Sequence, residues 1–153
     1  MALNWTQIIM AAAGTVGFSL IFRLRARYVP LTAVVGALGW AVYLITQQMF
    51  QSASVFLPAL TGGFAAAISS EILARVMKAP STLFFITSTV PLIPGSTLYY
   101  CMDAIVAGEK EAALRYGMIT FLIAFGIAMG MSIAWAICSL LRHVAGRSGN
   151  NLI

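Results

Sequence analysis

The sequence predicts an all-α integral membrane protein with five transmembrane helices, the fourth broken near mid-membrane by Pro91, Pro94 and Gly95. Three observations carry this expectation. Hydrophobic residues fill 61% of the 153 positions and charged residues 8%, a balance that suits lipid rather than water as the surrounding solvent. Stretches free of Asp, Glu, Lys and Arg cover residues 1–22, 28–70, 79–102 and 116–141. Each can supply the roughly 20 apolar residues that a helix needs to cross a hydrocarbon core of about 30 Å. The basic residues, finally, gather at alternate helix ends.

The elements follow in order. The first span covers about 4–22. The second stretch is long enough for two crossings, and Gln47-Gln48-Met49-Phe50-Gln51-Ser52 interrupts it, giving spans at about 30–49 and 55–77. The fourth and fifth cover about 82–106 and 112–141. The loops between them leave no room for a soluble domain, so residues 1–153 read as one transmembrane domain. The first basic residue is Arg23, which does not fit the charged start of a cleavable leader. Cys101 and Cys138 fall inside spans and read as buried apolar residues.

Helices of alternating direction put the ends of the first, third and fifth spans on one face. Seven of the nine basic residues lie there: Arg23, Arg25, Arg27, Arg75, Lys78, Arg142 and Arg147. Lys110 and Arg115 lie on the other. Lys and Arg stay on the cytoplasmic side, so the amino terminus is expected outside and the carboxyl terminus in the cytoplasm. The net charge of +5 is thereby a topology signal, and nucleic-acid binding has little claim on it. Trp5, Tyr28 and Tyr116 fall near span ends, where amphipathic rings suit the headgroup zone.

Close helix packing in lipid uses small residues. Ala13 with Gly17, Gly63 with Ala67, and Gly126 with Gly130 are such pairs. On the second span Gly36, Trp40, Tyr43 and Gln47 share a side at helical spacing, which is expected to face the protein interior.

The fourth span carries the most informative stretch, Thr87-Ser88-Thr89-Val90-Pro91-Leu92-Ile93-Pro94-Gly95-Ser96-Thr97. Pro91 cannot donate to the Thr87 carbonyl, nor Pro94 to that of Val90. Gly95 is expected to permit a turn that other residues resist, with Ser96 or Thr97 capping a restarted helix. Irregular backbone at that depth must be buried in protein or line a wet cavity. A restarted helix would aim free amides and its positive dipole end into the break, and a carboxylate is the matching ligand. Thr87, Ser88, Pro91, Pro94, Gly95, Ser96 and Thr97 are therefore candidate substrate-binding residues. Tyr99 and Tyr100 join them because Ser96, Tyr99, Tyr100 and Asp103 form a polar face running outward from the break. A plain proline kink, its freed groups met by Thr87, Ser88 and neighbouring helices, is the alternative.

Glu71 lies one or two turns inside the cytoplasmic end of the third span, where a buried carboxylate often belongs to an ion or proton pathway. Arg75 follows at the spacing of an intrahelical ion pair, so coupling and structural roles both stand. Asp103 is closer to the outer surface and completes the coupling or gating candidates. His143 reads as an interfacial side chain. With four acidic residues and one histidine, no metal-ligand spacing appears. Neither does a serine nucleophile with a base, or a phosphate-binding glycine loop. An enzyme and a cofactor are not expected.

Ser70-Glu71-Ile72-Leu73-Ala74-Arg75, Pro80, Val90-Pro91-Leu92-Ile93-Pro94-Gly95, Tyr99 and Tyr100 together resemble the carboxyl-terminal half of the threonine/serine exporter (ThrE) family. Gly17-Phe18-Ser19-Leu20-Ile21-Phe22 and Gly36-Ala37-Leu38-Gly39-Trp40 are similar to its opening helices. The resemblance implies a small, separate subunit of a secondary transporter in the bacterial inner membrane. Its substrate would be threonine and serine or a dicarboxylate such as succinate, and with Glu71 as the preferred coupling carboxylate the expected driving force is the proton motive force. A second membrane subunit with its own helices and an amino-terminal soluble segment is implied as partner. A subunit that only completes a partner's fold is the other functional class left open.

Overall fold

The computed structural model describes residues 5–50 and 54–149, with side chains through Leu141. Asn4, Gln51, Ser52 and the side chains of Arg142, His143 and Arg147 lie outside the described part. Among the described residues every regular element is helical: α1 (Trp5–Ile21), α2 (Val29–Met49), α3 (Phe56–Met77), α4 (Ser81–Thr89), a 3-10 turn (Val90–Leu92), α5 (Gly95–Val106) and α6 (Lys110–Gly149). α2, α3 and the stretch of α6 up to Leu141 are long and apolar enough to cross a membrane, while Trp5–Ile21 and Ser81–Leu92 are shorter apolar helices.

Local chemistry sets the ends. Pro30 stands in the first turn of α2, where its missing N–H costs nothing. α1 and α3 both stop on a residue in left-handed backbone, Arg23 (φ 52°) and Lys78 (φ 50°). Leu24 N then donates to Ser19 O at 2.9 Å and Ala79 N to Ala74 O at 3.1 Å, closing otherwise open carbonyls as glycine does at many helix ends. Pro80, in extended backbone, blocks continuation and launches α4.

α3 is the hub, packing on α2, α4 and α6, while α1 packs on α2 and α5 on α6. Glycine permits the closest approaches. A Cβ on Gly130 would collide with Leu60 O, one on Gly126 would stand 2.8 Å from Phe56 O, and one on Gly63 3.0 Å from Ile127 O. The numbering rises together along both helices, so α3 and α6 run parallel. α5 is antiparallel to α6, because Thr97 meets Thr120 and Cys101 meets Ala113. Leu24 and Tyr28 pack with Ala74 and Phe84, which brings the α1–α2 turn, the end of α3 and the start of α4 to one end of the bundle. Arg23, Arg25, Arg27, Arg75 and Lys78 therefore share that end.

Two packing expectations need correction. Ala13 and Gly17 are exposed among the described residues, and a Cβ on Gly17 would find nothing within 4 Å there. The packed side of α1 is instead Ala11, Thr15 and Ser19, one turn apart along the helix, with Gly36 closing on Thr15. Tyr28 is buried rather than interfacial, edge-on to Phe84 at 5.4 Å between ring centroids, with the Arg27 guanidinium 4.8 Å above its ring.

Candidate functional site

The α-helical ladder stops between Thr89 and Gly95. Pro91 and Pro94 supply no amide, and Ile93 swings to extended backbone (φ −63°, ψ 129°). Ile93 N donates to Val90 O at 3.1 Å and Gly95 N to Ile93 O at 2.7 Å; Leu98 N to Pro94 O at 3.1 Å then opens the next helix. The turn is thus made by Ile93 and Pro94, and Gly95 is not its hinge. Among the described glycines only Gly108 has positive φ, so the backbone at Gly95 accepts any L residue. Ser96 and Thr97 do not cap α5 either. Pro94 holds the cap position with no side-chain cap bond, and Thr97 Oγ1 donates to Pro94 O at 3.1 Å. Thr120 Oγ1, 2.9 Å from Thr97 Oγ1, ties α5 to α6.

The hydroxyls before the break turn back into α4. Thr87 donates to the Leu83 and Phe84 carbonyls, and Thr89 to that of Phe85. Ser88, fully buried, donates to Phe85 O at 3.2 Å and lies 3.0 Å from Ser70 Oγ on α3. Either hydroxyl can donate in that cross-helix bond. Thr87 and Ser88 therefore do not face the same space as Ser96, Tyr99, Tyr100 and Asp103, which lie on the exposed side of α5. The predicted residues are not brought together in one constellation.

Pro91 does border a hollow. With Val90, Trp40 and Gln7 it lines a space of about 400 Å³ between α1 and α2. Trp40 Nε1 is buried and has no hydrogen-bond partner among the described residues, although its ring stacks on Tyr43 at 5.1 Å. A buried unpaired N–H costs about 1–3 kcal/mol, and such a donor offers a place for an acceptor. No charged side chain lines the hollow.

A second space, about 330 Å³, opens between α3, α4 and α6 at the end where the basic residues gather, and Glu71 stands in its wall. Glu71 Oε1 is 3.5 Å from Arg75 Nη2, with the carboxylate side chain 11% exposed and the guanidinium side chain 51%. Ser81 and Thr82 from α4, and Ser132 and Trp135 from α6, complete the opening. Ser81, Thr82, Ser132 and Trp135 escape a reading of the sequence, since only the tertiary meeting of α3, α4 and α6 gathers them, and Gln7 escapes it for the same reason at the other hollow. Trp40 was within reach of it, standing on the polar stripe of the second span. Among the described residues there is no group of His, Cys, Asp and Glu suited to a metal ion.

No solved structure matches the chain significantly. The model of the family described as Threonine/Serine exporter, ThrE, matches residues 7–137, which take in α1 from Gln7 onward, α2 to α5, the interruption and the lining of both cavities except Cys138. Together with the apolar helices, this match means that the chain belongs to the threonine/serine exporter family, a family of membrane transport proteins for amino acid export.

Proposed function

We propose that this protein is one subunit of a secondary transporter that exports a small carboxylate metabolite, threonine or serine or a dicarboxylate such as succinate, at the expense of the proton motive force. It crosses the bacterial inner membrane five times, with the amino terminus outside and the carboxyl terminus in the cytoplasm, and the segment 82–106 forms one interrupted span. The substrate carboxylate docks at the interruption, against Pro91 and the start of α5. The observation carrying this reading is the hollow beside Val90 and Pro91, with its buried, unpaired Trp40 N–H. Neutral donors without a competing carboxylate suit an anion, and irregular backbone beside a cavity is the tolerated arrangement at membrane depth. Glu71 is the coupling carboxylate, Arg75 its modulator, and Asp103 lines the outward route with Tyr99 and Tyr100.

The partner is a second membrane subunit of the same family with a soluble amino-terminal segment. α5 supports this, because among the described residues it packs substantially on α6 alone and leaves Leu98, Tyr99, Tyr100, Met102 and Ile105 uncovered. That same face favours the second reading, a subunit that only completes its partner's fold. Gly95→Leu separates the two. A Cβ on Gly95 would meet nothing within 4 Å and its backbone is permissive, so the complex assembles. Efflux from vesicles holding both subunits, with and without a pH gradient, then falls if the interruption carries substrate. Parental efflux from a normally assembled complex would remove the site from consideration.

A further inference from the structure

Two turns of the chain gather cations on one surface. Arg23, Arg25 and Arg27 lie on the α1–α2 turn, Arg75 and Lys78 at the end of α3, and all five are exposed. The turns touch, because Leu24 and Tyr28 share one packed cluster with Ala74, Met77 and Ala79. Asp103, Glu109 and Glu111 lie at the opposite end of the bundle, since Gly126 already meets Phe56 at the start of α3 and α6 runs back from there to Lys110. Glu71, engaged by Arg75 at 3.5 Å, is one carboxylate against five cations. The carbonyl ends of α1 and α3 each favour a cation, which accounts for Arg23 and Lys78 by charge, but their left-handed backbone is one that glycine adopts more cheaply. Arg25 and Arg27 lie beyond those ends. Arg27 is braced as well: its guanidinium stands 4.8 Å above the ring of Tyr28, which is itself fixed edge-on to Phe84. Beside the cations the surface is apolar, with Ile21 and Phe22 exposed before Arg23, and Ile72 and Val76 exposed around Arg75.

We infer that these two turns form a headgroup site for an anionic phospholipid, its phosphate held between Arg25, Arg27 and Lys78 and its acyl chains lying along the exposed apolar residues of α1 and α3. Charge complementarity selects the phosphate, and a guanidinium fork matches two of its oxygens. The apolar collar selects a lipid over a free phosphate or an acidic protein segment, because it covers acyl chains next to the charge. A zwitterionic lipid brings its own cation and gains less. Basic residues orient a chain while it inserts, but their meeting on two packed turns, one of them braced on a ring, is a property of the folded protein. The site lies apart from both cavities and does not depend on what is exported.

The test titrates the complete chain, in neutral detergent, with phosphatidylglycerol and with phosphatidylcholine of the same acyl chains, counting bound lipid by native mass spectrometry. A micelle has no sides, so the direction of insertion does not enter the result. Phosphatidylglycerol binds more tightly by about fivefold or more, and neither glycerol 3-phosphate nor a polyglutamate peptide displaces it. Arg25→Gln and Lys78→Gly each weaken its binding by about fivefold, and Lys78→Gly preserves the turn because glycine suits that backbone. Arg27→Lys keeps the charge, loses the fork and weakens binding as well, whereas Lys110→Gln and Arg115→Gln at the opposite end leave it unchanged. Equal affinity for the two lipids would leave the cations a purely topological role and overturn the inference. Unchanged binding by Arg27→Lys, or equal losses from variants at both ends, would mark diffuse charge attraction and overturn it too. Displacement by glycerol 3-phosphate or by polyglutamate would do the same, assigning the surface to a free phosphate or to an acidic protein segment. None of these variants alters Trp40, Gly95 or Glu71, so failure here and failure of the exporter reading are told apart.

Discussion

Trp40→Phe isolates the group on which the anion site depends. The substitution removes the indole N–H while keeping an aromatic ring to stack on Tyr43. Nε1 has no partner among the described residues, so its loss deletes no hydrogen bond to them. An orphaned buried donor costs about 1–3 kcal/mol, and its removal offsets the smaller packing of phenylalanine. The thermal midpoint of the variant in detergent is therefore equal to or above that of the parent. Substrate handling moves the opposite way. A hydrogen bond to a charged group contributes about 1.5–3 kcal/mol, which corresponds to roughly tenfold to a hundredfold in apparent affinity. The assay is efflux from vesicles holding the assembled complex, measured across internal substrate concentrations. Half-saturation rises by that factor with no loss of folded protein. A parental half-saturation in a complex of unchanged stability would refute the placement of a carboxylate beside Trp40.

Two further variants test the frame that holds these spaces. Gly130→Leu drives a side chain into backbone atoms of Leu60 and Phe64, which cannot yield as a flexible side chain does. It costs about 1–3 kcal/mol or more and is read as loss of the monodisperse peak on size exclusion, while Gly17→Ala, facing open space within the chain, leaves the peak intact. Thr32→Val removes the 2.9 Å contact between Ser19 and Thr32 that ties α1 to α2. Cross-helix hydrogen bonds in membranes average about 0.6 kcal/mol and reach about 1.7, so unfolding in a graded detergent mixture shifts slightly and efflux is retained.

Helix positions were legible because lipid leaves a coarse record: charge-free stretches, prolines at starts and basic residues at ends. The stop of the ladder at Pro91 and Pro94 was legible for a local reason, the missing amides. Gly95 is not the hinge its residue type suggests, because Ile93 and Pro94 make this turn in ordinary backbone and leave the glycine no conformational work. Thr87 and Ser88 turn back into α4 because a helical hydroxyl can return to a carbonyl three or four residues back, which a reading of residue type alone does not reveal. Ala13 and Gly17 illustrate a further limit. Spacing identifies a smooth face but not what covers it, and Thr15, with its hydroxyl donating to Ala11 O at 2.9 Å, presents the packed surface instead. The Glu71 cavity required residues separated by some 60 positions to meet, as Glu71 and Trp135 do, and no local pattern records such a meeting.

The Ser70–Ser88 bond bears on how the two spaces communicate. α4 has nine residues, contributes Ser81 and Thr82 to the Glu71 cavity, and leads directly into Val90 and Pro91 at the hollow. Its three terminal hydroxyls are bonded to its own carbonyls, which makes it a unit, and the break at Ile93 and Pro94 separates it from α5. A short helix with one end in each space can reshape both by a small displacement along α3. Its buried polar tie to α3 is the hydroxyl pair, at 3.0 Å. Side chains that meet so closely are within reach of a disulfide, whose Cβ atoms stand about 3.5–4.5 Å apart. Ser70→Cys with Ser88→Cys, in a chain also carrying Cys101→Ala and Cys138→Ala, therefore cross-links on oxidation. If transport requires α4 to slide on α3, the oxidised complex binds threonine but exports none, and dithiothreitol restores efflux. Full export by the cross-linked complex would show α4 to be a fixed wall, and the motion would then belong to α5 and α6 beyond the interruption.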